Sequence, residues 1–194
     1  MTETVSIVIS CLSLAVSGVT AWLTLLRRGS VRMTQPTVIF FGLDRGGPPK
    51  VFLRTLLYCT AKRGRVIETM FVRVRRSESS QTFNVWVYGE HTLARGSGIY
   101  VGLEGLVCNH HFLMPKDGTQ FEFLPGEYNI EVYASIVGNK KPQLLYRTQL
   151  FLSEHQAQAL KDGESGVYFD WGADSGKYHG HVDKRPKSLP TTGI

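Results

Sequence analysis

A long uncharged segment near the N-terminus constrains this chain more than any other feature. From Val5 to Leu26 the sequence runs for 22 residues without Asp, Glu, Lys or Arg. A helix rises about 1.5 Å per residue, so this segment can cross a hydrocarbon core of about 30 Å. The leader before it has no Lys or Arg, which favours a retained anchor over a cleaved signal. We therefore predict an N-terminal transmembrane anchor over residues 1–28.

Three arginines, Arg27, Arg28 and Arg32, follow the segment. Positive charge beside a membrane helix favours the cytoplasmic side. We expect a single-pass membrane protein with its folded part in the cytoplasm and a basic linker over residues 29–36. The inverted topology, with the domain outside, is the alternative.

The hydroxyl residues of the anchor recur at steps of three and four, which places them on one helical stripe. Small hydroxyl side chains let two helices approach closely and exchange hydrogen bonds in lipid. The pattern favours self-association, or pairing with a partner helix, along this seam. The alternative is that each hydroxyl bonds back to a carbonyl of its own helix. The seam comprises Ser6, Ser10, Ser13, Ser17, Thr20 and Thr24.

Length and charge limit what the rest of the chain can be. The 194 residues accommodate one ordinary domain besides the anchor. The formal charge is +6, and three of the basic residues adjoin the anchor, so the charge by itself does not indicate nucleic-acid binding, and nucleic acid is not an expected partner. Cys11, Cys59 and Cys108 form no disulfide or metal-knuckle pattern, and no cofactor is expected.

Short runs of alternating or continuous apolar residues, separated by turn residues, dominate the region after Pro36. This pattern predicts a mainly β domain over residues 37–162, an antiparallel two-sheet β-sandwich with a small barrel as the alternative. The predicted strands cover residues 37–41, 51–58, 66–74, 83–88, 128–136 and 143–152.

Leu124-Pro-Gly-Glu-Tyr128 is followed by apolar residues at Ile130, Val132 and Ala134. This stretch resembles the penultimate strand of immunoglobulin-like domains. Tyr128 stands in the place of the corner tyrosine. The cysteine pair and core tryptophan of antibody domains are missing, so the resemblance implies an immunoglobulin-like architecture and carries no function.

After the last predicted strand the sequence changes character. Ser153 is a candidate N-cap for a short helix over residues 154–161. Residues 163–194 contain eight glycines or prolines, and we expect a flexible tail of low order. Aromatic residues in such a tail are typical anchors for docking, onto the same domain or onto another protein. The candidate docking residues are Tyr168, Phe169, Asp170 and Trp171.

Two histidine-containing groups are candidate metal ligands. Adjacent histidines in a strand point to opposite faces, and two flexible histidines bind metal weakly, so we expect no metal site in either group. The groups are Cys108, His110 and His111 in one, and Asp174, His179, His181 and Asp183 in the other.

A predicted hairpin is rich in basic residues. Close to a cytoplasmic leaflet, such a patch would be attracted to anionic lipid. The basic patch comprises Lys62, Arg63, Arg65, Arg73, Arg75 and Arg76.

These observations favour a membrane-anchored, non-enzymatic β-sandwich interaction module, an accessory or sensing subunit of a membrane-associated assembly. Its expected partners are the lipid bilayer and a protein or a second copy of the chain, bound through the helix. The alternatives are a membrane-tethered metal-dependent hydrolase that uses the histidine groups, and a lipid- or nucleic-acid-binding module that uses the basic hairpin.

Overall fold

The chain begins with one long apolar helix. The computed structural model describes residues 2–27, 29–44, 47–89, 94–115 and 120–184. Helix α1 spans Thr2–Ala21 and continues as a π-helical turn over Trp22–Leu26. These 25 residues are long and apolar enough to cross a membrane, and no residue of the helix is buried by the rest of the chain.

The rest of the described chain is mainly β, as predicted, with two antiparallel sheets and a further helix, α2, at Glu154–Lys161. The strands are β1 Val31–Met33, β2 Val38–Leu43, β3 Pro49–Cys59, β4 Arg65–Arg76, β5 Ser79–Phe83, β6 Val85–Gly89, β7 Ala94–Arg95, β8 Ile99–Val101, β9 Leu106–Leu113, β10 Gly126–Ile136, β11 Gln143–Leu152, β12 Ser165–Gly172 and β13 Lys177–Lys184.

In the described part of the chain, the first sheet has the order β13-β12-β2-β3-β9-β6-β7. Strand β1 also belongs to it and pairs with the end of β3. The second sheet has the order β11-β10-β4-β5, and β8 pairs with the start of β4. Both sheets contribute to one buried core.

Alternation along the strands builds that core, because successive side chains point to opposite faces of a sheet. In β10, for example, Tyr128, Ile130 and Val132 are almost completely buried. An aromatic group joins the sheets. The ring of Phe41, in the first sheet, lies 5.6 Å from Tyr128 in the second and 5.2 Å from Phe169 in the first.

The single strand predicted over residues 83–88 is divided between the sheets. Phe83 ends β5 in the second sheet, and Val85 begins β6 in the first. Asn84 lies between them and belongs to neither strand. Because Phe83 and Trp86 are both buried, the chain changes sheets without leaving the core.

The expectation of a low-order tail over residues 163–194 is wrong for residues 165–184. Strand β12 pairs with β2, which carries the folded region past residue 162, and β13 pairs with β12. Val167 and Phe169 are buried, so alternate residues of β12 contribute side chains to the core. The many glycines of this segment obscured that alternation in the sequence. Residues 185–194 lie outside the described part.

The basic linker expected over residues 29–36 instead contains strand β1 of the folded domain. Val31 is completely buried and pairs with Cys59. The predicted C-terminal helix is confirmed as α2. Ser153 accepts a hydrogen bond from the backbone N–H of Gln156, whose side chain accepts from the N–H of Ser153, which forms a capping box.

Candidate functional site

One end of the β domain lies where the chain arrives from α1, and we call it the linker end. Gly29 is buried there, and a Cβ at this position would lie 2.6 Å from the backbone nitrogen of Ala61. The backbone N–H of Ser30 donates to the Thr60 hydroxyl at 2.9 Å, and the N–H of Thr60 donates to the Ser30 carbonyl at 3.1 Å. The first folded residues are therefore fixed against the loop that follows β3.

Two more loops meet at the linker end. The N–H of Cys59 donates to the Gly102 carbonyl at 2.9 Å, and the N–H of Val137 donates to the Val66 carbonyl at 3.0 Å. The Tyr100 hydroxyl donates to the Arg63 carbonyl at 3.1 Å, which holds the ring across the first loop. The linker end thus consists of the loops after β3, β8 and β10.

Large apolar side chains are exposed at this end. Tyr100 is 60% exposed and Leu103 is 52% exposed, and Val66 and Val137 are exposed beside them. Lys62 and Arg63 are exposed in the first of these loops. A contiguous exposed apolar surface marks a contact site more often than scattered exposed residues do.

The structure divides the predicted basic patch into separate groups. Lys62, Arg63 and Arg65 lie at the linker end. Arg76, at the other end of the 12-residue strand β4, donates to the Pro125 carbonyl at 3.1 Å. The remaining two arginines, Arg73 and Arg75, lie between these ends on the outer face of the second sheet.

A buried carboxylate accompanies these two arginines. Glu131 pairs with Arg73 in the register of β10 and β4, and with Arg147 in that of β10 and β11. Its carboxylate lies 2.7 Å from the Arg147 guanidinium, 3.5 Å from that of Arg75 and 4.0 Å from that of Arg73. Three cations thus surround one acid that is only 3% exposed.

The surroundings of Glu131 favour its charged form. Burial alone would raise the pKa of the Glu131 carboxyl. The hydrogen bond from the Tyr133 hydroxyl and the charges of Arg75 and Arg147 outweigh burial and lower that pKa below its ordinary value. The carboxylate is therefore ionised at neutral pH. We call Glu131 with Arg73, Arg75 and Arg147 the arginine cluster.

His110 and His111 point to opposite faces of the first sheet. His110 is completely buried, its Nδ1 accepts a hydrogen bond from the Trp86 indole at 3.2 Å, and its Nε2 has no hydrogen-bond partner in the described part of the chain. The ring of His111 packs against Phe52 on the outer face, at 4.8 Å between centroids.

Both rings are neutral at physiological pH. Burial, and then the charge of His111, lower the pKa of His110 to about 4. Burial and the charge of Lys50 lower the pKa of His111 to about 4, against an opposing effect of Asp44. Because the two rings point to opposite faces of the sheet, His110 and His111 do not converge on a common ligand, as the alternation of strand side chains predicts.

The four predicted docking residues lie in β12 and contact their own domain. Phe169 is 1% exposed in the core, so it is unavailable to another protein. On the outer face, Tyr168 packs at a tilt against Phe40 and stacks on the ring of His181. Trp171 packs edge-on against Tyr178.

The histidines of the last hairpin have different partners. His181 lies 3.3 Å from the Asp170 carboxylate, whereas His179 is 2.9 Å from the Ser175 hydroxyl. Within residues 2–184, excluding the short undescribed stretches, no group of three or more His, Cys, Asp or Glu side chains is placed to hold a metal ion.

An open groove of about 570 Å³ lies between β11 of the second sheet and β13 of the first. Phe151, Trp171 and His179 are among the residues that line it. Nearby, the Gln35 amide donates to the hydroxyls of Tyr146 and Tyr178 at 2.7 and 2.8 Å, which joins the edges of the two sheets.

The hydroxyl residues of α1 are exposed, and Thr24 in the π-helical turn that follows is half-buried. Ser10, Thr20 and Thr24 donate to the carbonyls of Ser6, Val16 and Thr20, four residues earlier in each case. A hydroxyl that donates in this way still has lone pairs with which it can accept.

Sequence reasoning missed Glu131, Arg147, Tyr100 and Leu103. The charge alternation of β10 hinted at Glu131, but only strand register places Arg147 beside it.

Searches against protein families, curated proteins and solved structures find no match to this chain.

Proposed function

We propose that this chain is a membrane-anchored, non-enzymatic interaction module, an accessory or sensing subunit of a membrane-associated assembly. One observation carries the proposal. An apolar helix of 25 residues, no part of which the β domain covers, ends three residues before Gly29, which is buried in that domain.

The exposed helix requires another environment. Apolar surface left in water costs about 25 cal/mol per Å², so a helix of this composition is stable when lipid or another helix covers it. Arg27, Arg28 and Arg32 favour a cytoplasmic position for the domain under the positive-inside rule.

We further propose that the two sheets form an immunoglobulin-like β-sandwich. The support is a hydrogen bond of 2.6 Å from the Tyr128 hydroxyl to the Leu124 carbonyl, four residues earlier. A tyrosine that bonds back to the preceding backbone at the start of a strand is typical of that architecture. The hairpin of β12 and β13 would then be an addition to it.

The proposed partner of the helix is a second copy of the chain. The row from Ser6 to Thr24 presents small hydroxyl groups on one face, and the back-bonded oxygens can still accept hydrogen bonds from a neighbouring helix. A metal-dependent hydrolase has less support, because the histidines of each group have different surroundings.

Cysteine cross-linking tests this self-association. Cys11 lies on the side of α1 away from the row, and Cys59 and Cys108 are buried. In a Cys11→Ser background, Ser13→Cys or Ser17→Cys is expected to form a disulfide-linked dimer in membranes under mild oxidation. Val8→Cys, on the opposite face, is the matched control.

The expected result is strong cross-linking at positions 13 and 17 and little at position 8. Equal cross-linking at all three positions, or none, would contradict the seam. Extraction of the chain from membranes by alkaline carbonate would contradict the anchor itself.

A further inference from the structure

We propose that the linker end of the β domain binds the surface of an anionic membrane. Tyr100 and Leu103 would enter the headgroup region, and Lys62 and Arg63 would face lipid phosphates. This inference rests on the proposed membrane anchoring and adds a second, reversible contact to it.

Chain connectivity places the linker end near the bilayer. Leu26 ends the apolar helix, and Gly29 is already packed against Ala61. Three residues span at most about 11 Å when fully extended. Because two hydrogen bonds join Ser30 to Thr60, the loop after β3 moves with the end of this short connection. With the helix in a bilayer, this loop stays close to the headgroups.

The exposed side chains at this end suit a membrane interface. Tyr100 has an exposed ring whose hydroxyl is held by the Arg63 carbonyl, and Leu103 is exposed in the adjoining loop. Tyrosine rings are enriched at membrane interfaces, where an apolar body and a polar tip are both satisfied. A fixed ring also loses little conformational freedom on binding.

The charges of the same end favour anionic lipid. Lys62 and Arg63 are exposed in the first loop, and Lys140 and Lys141 are exposed in the loop after β10. Within the loops after β3, β8 and β10, Glu104 beside Leu103 is the one acidic residue, so basic residues are in excess in these loops. Basic residues within a Debye length of an anionic leaflet are attracted to it. The short tether, the exposed apolar groups and the basic charge thus point to one binding partner for the linker end, a lipid surface.

The test uses the full-length protein in nanodiscs of phosphatidylcholine, with or without phosphatidylserine. In a Cys11→Ser background, a polarity-sensitive fluorophore is attached at Leu103→Cys. A control label is attached at Glu78→Cys, in the exposed turn after β4, at the opposite end of the domain. We expect a blue shift at position 103 that is larger with phosphatidylserine and that decreases at high salt, and no shift at position 78.

Charge reversal provides the matched comparison. Lys62→Glu is expected to lose most of the shift at position 103. Lys161→Glu, at the exposed end of α2, changes the net charge equally and should leave the shift intact. Unchanged circular dichroism of both variants would show that the fold is intact.

The two proposals fail in different ways. If the protein does not elute with the nanodiscs, the membrane anchor fails, and this inference fails with it. If the protein elutes with the discs and the label at position 103 reports water in both lipid mixtures, only this inference is overturned. A shift that is equal in neutral and anionic discs and insensitive to Lys62→Glu would also overturn it.

Discussion

At the scale of single residues, Glu131 is the acid that compensates the positive charges of the arginines on the outer face of the second sheet. Arg73 and Arg75 lie on one strand and Arg147 lies two strands away, and their mutual repulsion is offset by one carboxylate between them. Because the arginine side chains cover Glu131, that carboxylate is largely withdrawn from solvent.

Replacement of this acid tests the arginine cluster. Glu131→Gln keeps the shape of the side chain and removes its charge, so three cations are left facing a neutral amide. We expect the free energy of unfolding to fall by about 1–3 kcal/mol, measured by denaturant titration in detergent. Arg147→Ala is the control, since that arginine is 61% exposed, and its loss should cost less than about 1 kcal/mol.

A Glu131→Gln variant as stable as the wild type would contradict this account. It would show that the arginines are sufficiently hydrated to coexist without the carboxylate.

The buried His110 ring predicts a pH dependence of stability. Its pKa is about 4 in the folded chain and 6.5 in the unfolded one. Between these values the unfolded state binds a proton that the folded state does not, so stability falls as the pH falls from 6.5 towards 4. The slope contributed by one such histidine approaches about 1.4 kcal/mol per pH unit. Above pH 6.5 both states are neutral, and the effect vanishes.

Denaturant titrations at several pH values check this prediction. His110→Gln, which retains an acceptor for the Trp86 indole, should decrease the acid slope by about one proton. His111 would supply a remaining slope, because its pKa is lowered in the same direction. An unchanged slope in the variant would show that His110 already binds its proton in the folded state.

At the scale of elements, the hairpin of β12 and β13 completes the first sheet. Strand β12 pairs with β2 and buries Val167 and Phe169 in the common core. Without it, the edge of β2 would lose its paired strand, and the ring of Phe41 would lose its contact with Phe169.

Truncation after Gly163 tests the role of this hairpin. We expect the shortened chain to lose cooperative thermal unfolding, because the large buried ring of Phe169 is removed together with strand pairing. As a milder change, Phe169→Ala should lower the free energy of unfolding by about 3–5 kcal/mol, the usual cost of truncating a buried phenylalanine. A truncated chain that melts like the full-length protein would restore the interpretation of this segment as a tail.

Strands with strong alternation were predictable from the sequence, and β10 and β11 closely match their expected ranges. The capped helix α2 was predictable because its signal is local. The change of sheet at Asn84 was not predictable from the sequence, since an alternating run has the same pattern whether it lies in one sheet or passes from one sheet to the other. Strand β12 was missed because the glycines around it outweighed a short alternation.

At the scale of the whole molecule, the candidate surfaces depend on which distant segments meet. The linker end combines loops after β3, β8 and β10, and the arginine cluster combines three strands. Composition identifies basic residues, whereas only strand register divides them into a group near the linker, a group around Glu131 and the distant Arg76. The long apolar helix needed no such information, because its length and lack of charge are properties of one continuous segment.

The shortness of the connection between Leu26 and Gly29 has a thermodynamic consequence. A tethered surface meets its ligand at an effective concentration set by the tether, and short tethers give millimolar values. Under the proposed anchoring, contacts too weak to recruit a free domain, at about 1 kcal/mol per basic residue, would hold this one against the leaflet for part of the time. Changes in lipid charge or ionic strength would then shift the fraction of time spent docked without releasing the proposed anchor from the bilayer.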